Sequence, residues 1–239
     1  MTTAAKAALN LLADHDEHII SRRAWEVGLA TLANAERARN AILSEVTVRR
    51  LIAEAKVIGP EFGLLVETAA ITGARVGQLA RVEVQDLVGD HDGARLMIPS
   101  SGKGRGDKQV HNYGVPIPTT LAARLRVAAG GRPATAPLLI KPSGDRWRKS
   151  DHTRPFLRAC IAAGEDPAEV TIYALRHSSI VRQILANVPI RVVAAGHDTS
   201  VAMIEKSYAR FIQGHTDALV RATLLDADQD AAEVIPLRR

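Results

Sequence analysis

Tyr173-Ala174-Leu175-Arg176-His177-Ser178, then Gly196-His197-Asp198, then Glu205-Lys206-Ser207-Tyr208: these stretches set the reading of the whole chain. From Thr171 onward helices dominate, separated by Pro189 and Gly196, because proline and glycine interrupt helical periodicity. Each residue also has a plain structural reading. Tyr208 lies at helical spacing from Val201, Ile204 and Phe211, the pattern of a half-buried core tyrosine. A lone Arg176 reads as a buried arginine paired with a carboxylate. His177 reads as a helix-start or core histidine, and His197, after Gly196, as a helix-cap residue.

Working upstream, 151–163 and 119–129 read as helices, with a loop over 130–149 that holds Pro133, Pro137 and Pro142. Between Val82 and Pro118 the pattern changes to short β-type runs at 82–88, 94–99 and 110–117. Their dividers, Gly-Asp-His-Asp-Gly and Ser-Ser-Gly-Lys-Gly-Arg-Gly-Asp-Lys, are turn formers, so the region reads as a small antiparallel meander. Its second turn carries Lys103, Arg105 and Lys108 at a hairpin tip able to reach a DNA groove, and Tyr113 sits on the following strand in a structural position. Further back, Phe62 to Ile71 is apolar, Thr72-Gly73 breaks it, and a helix resumes at Arg75 to Leu79. Ser44-Glu45-Val46-Thr47 offers a helix start, followed at helical spacing by Val48, Leu51, Ile52 and Ala55. Residues 4–40 read as one or two helices, too thin for a domain. The expected organisation is 1–43 as a helical segment, 44–225 as the main domain and 226–239 as a flexible tail that includes the acidic run Asp226 to Asp230.

The chain has 239 residues and a formal net charge of +5, with arginines spread along it, so a polyanionic partner fits. Aromatic residues make up 3%, too few for a surface that stacks on single-stranded bases, which favours duplex contacts through phosphates. Cys160 is the single cysteine and reads as a small buried thiol, so neither an intrachain disulfide nor a cysteine zinc site is expected. His111, His152 and His215 lack paired spacing, so no metal is expected, and no Walker-type loop is present for ATP. Without an 18-residue apolar run or a signal-peptide pattern, the expected location is cytoplasmic, on the nucleoid.

With Ile71-Thr72-Gly73-Ala74-Arg75 upstream and Gly102-Lys103-Gly104 on the hairpin, the quoted stretches closely resemble the tyrosine recombinase or phage integrase family over about 44–215. The resemblance implies an α+β, mainly helical catalytic domain with a three-stranded antiparallel sheet at one edge. It also implies roles: Arg75 and Arg176 as the two catalytic arginines, Lys103 as the hairpin lysine, His197 as the late His or Trp position, and Tyr208 as the nucleophile. Arg105 and Lys108, which are alternatives for the lysine role, and His177 are expected to contact DNA. Tyr173 departs from the pattern, because the family usually has His there and a phenol is a poor base at neutral pH, but it stays a candidate catalytic residue that could hydrogen-bond the phosphate or Tyr208. The interval from His197 to Tyr208 is slightly longer than the commonest form, which turns Tyr208 around its helix.

The chemistry is consistent with those roles. Cleaving a phosphodiester without metal needs cations on the non-bridging oxygens, and guanidinium forks bind these in pairs. Tyr208 attacks, Lys103 protonates the 5′ oxygen, and His197 donates to a phosphate oxygen. The 3′-phosphotyrosyl ester retains the bond energy, so neither ATP nor another cofactor is expected. The expected partner is double-stranded DNA, bound by a monomer that becomes a homo-tetramer on synapsed DNA, with 211–225 packing on a neighbour. Residues 4–42 are similar to the end of the family's N-terminal core-binding domain, whose earlier helices are missing; the chain reads as truncated and is expected to bind weakly. Two other readings remain: a non-catalytic DNA-binding fragment that regulates recombination sites, and a type IB topoisomerase that uses the same residue set.

Overall fold

The computed structural model describes residues 2–30, 41–90, 93–101, 111–213, 220, 221, 223 and 224. The chain forms two compact units, Met1–Ala38 and Arg39–Arg239. The first holds α1 (Thr2–His15) and α2 (Arg23–Gly28). The Asp16 carboxylate accepts the His18 N–H at 3.0 Å just past α1 and offers the chain a turn in place of another helical bond. Trp25 Nε1 donates to Asn10 Oδ1 at 3.0 Å and joins the two helices.

The second unit opens at a capped helix. Ser44 Oγ accepts the Thr47 N–H at 3.1 Å at the start of α3 (Glu45–Ile58), whose buried face is Val48, Leu51 and Ala55. Pro60 occupies the first turn of α4 (Pro60–Thr72), where a missing N–H costs nothing. This helix is apolar nearly all round because it runs through the centre of the unit, burying Phe62, Leu65, Val66, Ala69 and Ala70. At Gly63 a Cβ would lie 2.7 Å from the Lys56 Cα, so only glycine lets α3 and α4 approach this closely. Gly73 then ends α4 in the left-handed region at φ 64° and turns the chain toward α5 (Val76–Leu79).

The expected meander is present as a three-stranded antiparallel sheet in the order β1 (Leu87–Val88), β2 (Arg95–Pro99), β3 (Asn112–Pro116). Leu96 pairs with Val115 and Ile98 with Tyr113. The first strand is shorter than its β-type run because Val84–Asp86 forms a 3-10 turn, closed by the Asp86 carboxylate accepting the Glu83 N–H at 2.8 Å. Lys103, Arg105 and Lys108 lie outside the described residues. Helices α6 (Thr119–Ala129), α7 (Thr153–Ala162), α8 (Tyr173–Leu185), α9 (Ile190–Gly196) and α10 (Val201–Gln213) complete the unit.

Two groups of apolar side chains form the core. The larger spans α3, α4, the sheet, α6, α7 and the start of α8. The smaller lies between α8, α9 and α10 and consists of Ile180, Val181, Ile184, Val193, Ala194, Ile204 and Tyr208. Leu51, Leu65, Leu96, Ile98, Leu121 and Leu175 are fully buried, each contributing about 1.5–3 kcal/mol of transfer free energy. Leu43 N–H donates to Ser178 Oγ at 2.8 Å, so the segment before Ser44 is already tied to α8. Among the described residues, no helix is long and apolar enough to cross a membrane.

Candidate active site

The α4–α5 corner, the α9–α10 turn and the first turns of α8 meet where the sequence expects its cationic residues. Arg75 begins α5 directly after the Gly73 turn, and Gln78 Oε1 accepts its N–H at 3.2 Å. Arg75 Nη1 donates to the Asp198 carboxylate at 3.2 Å and lies 3.4 Å from the Asp198 carbonyl oxygen. Arg176, one turn into α8, donates through Nη1 to the Gly73 carbonyl at 3.0 Å and through Nη2 to the His197 carbonyl. The two guanidinium groups are therefore pinned to the consecutive carbonyls of His197 and Asp198. Arg176 is only 4% exposed. Burial first, and then the nearby Arg75 cation, push its guanidinium below the ordinary value.

His197 sits beneath this pair with no exposed surface. Its Nδ1 lies 2.9 Å from the Val193 carbonyl and must donate there, and its Nε2 lies 3.1 Å from Ser179 Oγ, whose hydroxyl then donates to it. Burial pushes the imidazole down to about 4, with Arg176, Arg182 and Arg75 acting the same way against the opposing bond to Val193. The ring is thus neutral at pH 7, and both of its nitrogens are engaged by protein groups. Gly73 makes room for it, since a Cβ there would lie 2.5 Å from His197 Cδ2 and Nε2.

Tyr208 packs its ring into the smaller core group, is 5% exposed, and brings its hydroxyl 2.5 Å from His177 Nδ1. Burial raises the phenol to about 12 against the lowering influence of Arg176. His177, expected on DNA, is buried here against the phenol, and burial followed by Arg176 lowers it to about 4. Tyr173 is exposed and lies edge-on to the His177 ring, with centroids 4.8 Å apart. Helical geometry explains the grouping: positions 173, 176 and 177 are three and four residues apart on one face of α8.

The structure adds contacts at residues to which the sequence reading gave no role in the chemistry. Asp198 Oδ2 accepts from Arg75, from Gln78 Nε2 at 3.1 Å and from the Ser101 N–H at 2.8 Å, while Gln78 Nε2 also donates to the Pro99 carbonyl at 3.0 Å. Through these contacts Asp198 ties Arg75 to the end of β2, directly before the segment that carries Lys103. Its place beside His197 in the quoted Gly-His-Asp stretch was the available signal. Tyr113 Oη is buried without a hydrogen-bond partner among the described residues, and burial raises the phenol to about 12. Cys160 is buried, as read. Among the described residues, no group of His, Cys, Asp and Glu could hold a metal ion. A cavity of about 510 Å³ lies elsewhere, walled by Leu64, Val127 and Leu139 and flanked by Lys56, Glu67 and Arg124.

No protein-family model matches this sequence, and no curated protein matches it. Solved structures do. A lambda integrase (75–356) dimer bound to a COC' core site superposes with a TM-score of 0.59 at 20% identity, covering 84% of this chain and 71% of that one. The XerA recombinase gives 0.56 at 23% identity, covering 76% of this chain and 63% of that one. The catalytic domain of bacteriophage HP1 integrase gives 0.51 at 22% identity, covering 77% and 95%. The chain spans 54–63% of the length of the XerA and XerH recombinases it resembles. The fold is that of the tyrosine recombinase catalytic domain, as the sequence motifs led one to expect. Its structural neighbours are recombinases and integrases.

Proposed function

We propose that this chain is a site-specific DNA recombinase that cleaves and rejoins strands by transesterification, with Tyr208 as the nucleophile and a 3′-phosphotyrosyl ester as the intermediate. The observation that carries this reading is the anchoring of Arg75 and Arg176 on the adjacent carbonyls of His197 and Asp198. Two fixed guanidinium groups side by side are suited to the non-bridging oxygens of one phosphate, whose charge grows as a pentavalent phosphorane forms. The α8 face that holds Arg176 also holds His177, and through it the Tyr208 hydroxyl.

In this mechanism Arg75 and Arg176 bind the scissile phosphate and Tyr208 Oη attacks phosphorus in line with the departing 5′ oxygen. Lys103 supplies the proton that turns this oxygen into a 5′-hydroxyl, with Arg105 and Lys108 holding the flanking backbone. His197 acts from below, as a neutral wedge that fixes the turn presenting both carbonyls. Rejoining is the same step reversed, so no ATP is consumed, and the two guanidinium groups supply the positive charge at phosphorus. The DNA is duplex. Since one neighbour is a lambda integrase tetramer bound to a Holliday junction, we extend the same assembly on synapsed DNA to this chain, with a monomer in its absence.

The test is covalent capture on a nicked suicide duplex that loses its 5′ end after cleavage. The wild-type protein traps a DNA adduct, and Tyr208→Phe binds the duplex and traps none. An adduct with Tyr208→Phe would place the nucleophile elsewhere. Salt-sensitive binding with no adduct from the wild type would make the chain a non-catalytic DNA-binding protein.

A further inference from the structure

We propose that His177 is the base that takes the phenolic proton from Tyr208 during strand cleavage and returns it during rejoining. The inference rests on Tyr208 being the nucleophile and adds the identity of the group that activates it.

Geometry comes first. His177 Nδ1 lies 2.5 Å from Tyr208 Oη, with ring centroids 5.7 Å apart and planes inclined by 55°. A neutral imidazole donates from one nitrogen and accepts at the other. Burial keeps both partners uncharged, and in the base role the Tyr208 O–H donates while Nδ1 accepts. The ring proton is then on Nε2. Both residues are held from two helices, His177 by the buried face of α8 and Tyr208 by the core group it shares with Ile204 and Val193. The pair is set before any substrate arrives, which is what a proton acceptor requires.

Neighbouring groups favour His177 over the alternatives. Tyr173, one turn earlier on the same face, is exposed and meets the His177 ring edge-on. Both nitrogens of His197 are committed to Val193 and Ser179. The charged and titratable groups that act on the pair are Arg176 and Tyr173, both from α8. In the resting protein Arg176 works against a proton on His177. A phosphodiester seated on Arg176 brings a negative charge that offsets this cation, so the imidazole becomes a better base as the substrate enters.

The step balances. The Tyr208 O–H bond breaks and its proton passes to Nδ1, while the oxygen pair forms the O–P bond. The P–O5′ bond breaks, and O5′ leaves with a proton from Lys103. In rejoining, the 5′-hydroxyl attacks phosphorus and loses its proton to the Lys103 amine, and Tyr208 departs with the proton held on His177.

Single-turnover adduct formation on the nicked duplex tests this, using one substrate with the ordinary 5′ oxygen and one with sulfur at that bridging position. Sulfur leaves without protonation, so the second substrate relieves a missing acid but not a missing base. His177→Asn is expected to slow adduct formation by about 10²–10⁴-fold on both substrates, with duplex affinity within about threefold of wild type. A rate within about threefold of wild type, or recovery on the sulfur substrate, would overturn the proposal. Tyr208→Phe separates the two levels: an adduct from that variant removes the nucleophile, whereas its absence beside a normal His177→Asn removes only the base. Nitrogen NMR on the wild-type protein gives an answer even if His177→Asn does not fold. The His177 ring should carry its proton on Nε2, with an Nδ1 signal that shifts in Tyr208→Phe. A proton on Nδ1, or a signal unmoved by Tyr208→Phe, would defeat the assignment.

Discussion

Replacing Gly73 by alanine should disturb the candidate site and the stability of the second unit together. Two costs add. At φ 64° Gly73 is in the left-handed region, where a Cβ costs roughly 1–2 kcal/mol. The new carbon would also lie 2.5 Å from His197 Cδ2 and Nε2 and 3.0 Å from Ser179 Cβ. The ring cannot swing away freely, since Val193 and Ser179 hold its two nitrogens. Forcing extra volume into such a core costs about 1–3 kcal/mol, so the sum is about 2–5 kcal/mol, a large share of a typical folding free energy. Urea unfolding followed by circular dichroism measures it, and a melting point lower by roughly 5–15 °C should accompany it. Gly77→Ala is the internal control, because nothing lies within 4 Å of its Cβ position; there alanine should be neutral or stabilise by up to about 1 kcal/mol. A Gly73→Ala protein within 0.5 kcal/mol of wild type, on the order of the measurement error, would refute the packing of His197 against this turn.

Acid should destabilise the protein between about pH 6.5 and pH 4. His177 and His197 titrate near 4 when folded and near 6.5 when unfolded. Above pH 6.5 both states are neutral, and as pH falls the unfolded chain binds protons that the native state refuses, removing on the order of 3 kcal/mol per histidine. Urea midpoints at pH 7 and pH 4.5 check this, and equal midpoints in a His177→Asn and a wild-type protein at both values would contradict it. Tyr113→Phe should leave stability unchanged or raise it by up to about 1 kcal/mol, because among the described residues its buried hydroxyl has no partner at hydrogen-bond geometry; a loss above about 2 kcal/mol would mean that the hydroxyl is bonded. Arg176→Lys keeps the charge but cannot reach both the Gly73 and His197 carbonyls as a fork. It should cut the adduct rate by about 10²-fold or more while changing duplex affinity by less than about tenfold, as single-turnover rates and titration would reveal.

The fold was legible because its breaks are chemically marked. Gly59-Pro60 and Thr72-Gly73 each stop a helix where the structure stops it, and Pro189 directly precedes the start of α9. The Val82–Val88 run misled because its alternation looks like a strand, while the Asp86 carboxylate closes a turn on the Glu83 amide. At the site, Arg75, Arg176, His197 and Tyr208 could be named from motifs, since each is embedded in a local pattern. The contacts of Asp198 could not, because its donors on Arg75, Gln78 and Ser101 are distant in sequence and meet only when α5, β2 and the α9–α10 turn are assembled. His177 shows the same limit. Its position on α8 was plain, but which side faces α10 depends on how the two helices cross.

Asp198 has a consequence for how a substrate would enter. Its Oδ2 already satisfies three N–H donors, one of them on Arg75. A carboxylate and a phosphodiester carry the same sign of charge, so Arg75 is already neutralised in the resting site, while Arg176 faces only carbonyls. Incoming DNA would exchange one anion for another, and the attraction it gains from Arg75 is only the difference between them. Selectivity would then come from shape and from the second guanidinium, because bare charge alone gives little advantage to a phosphate that does not fit.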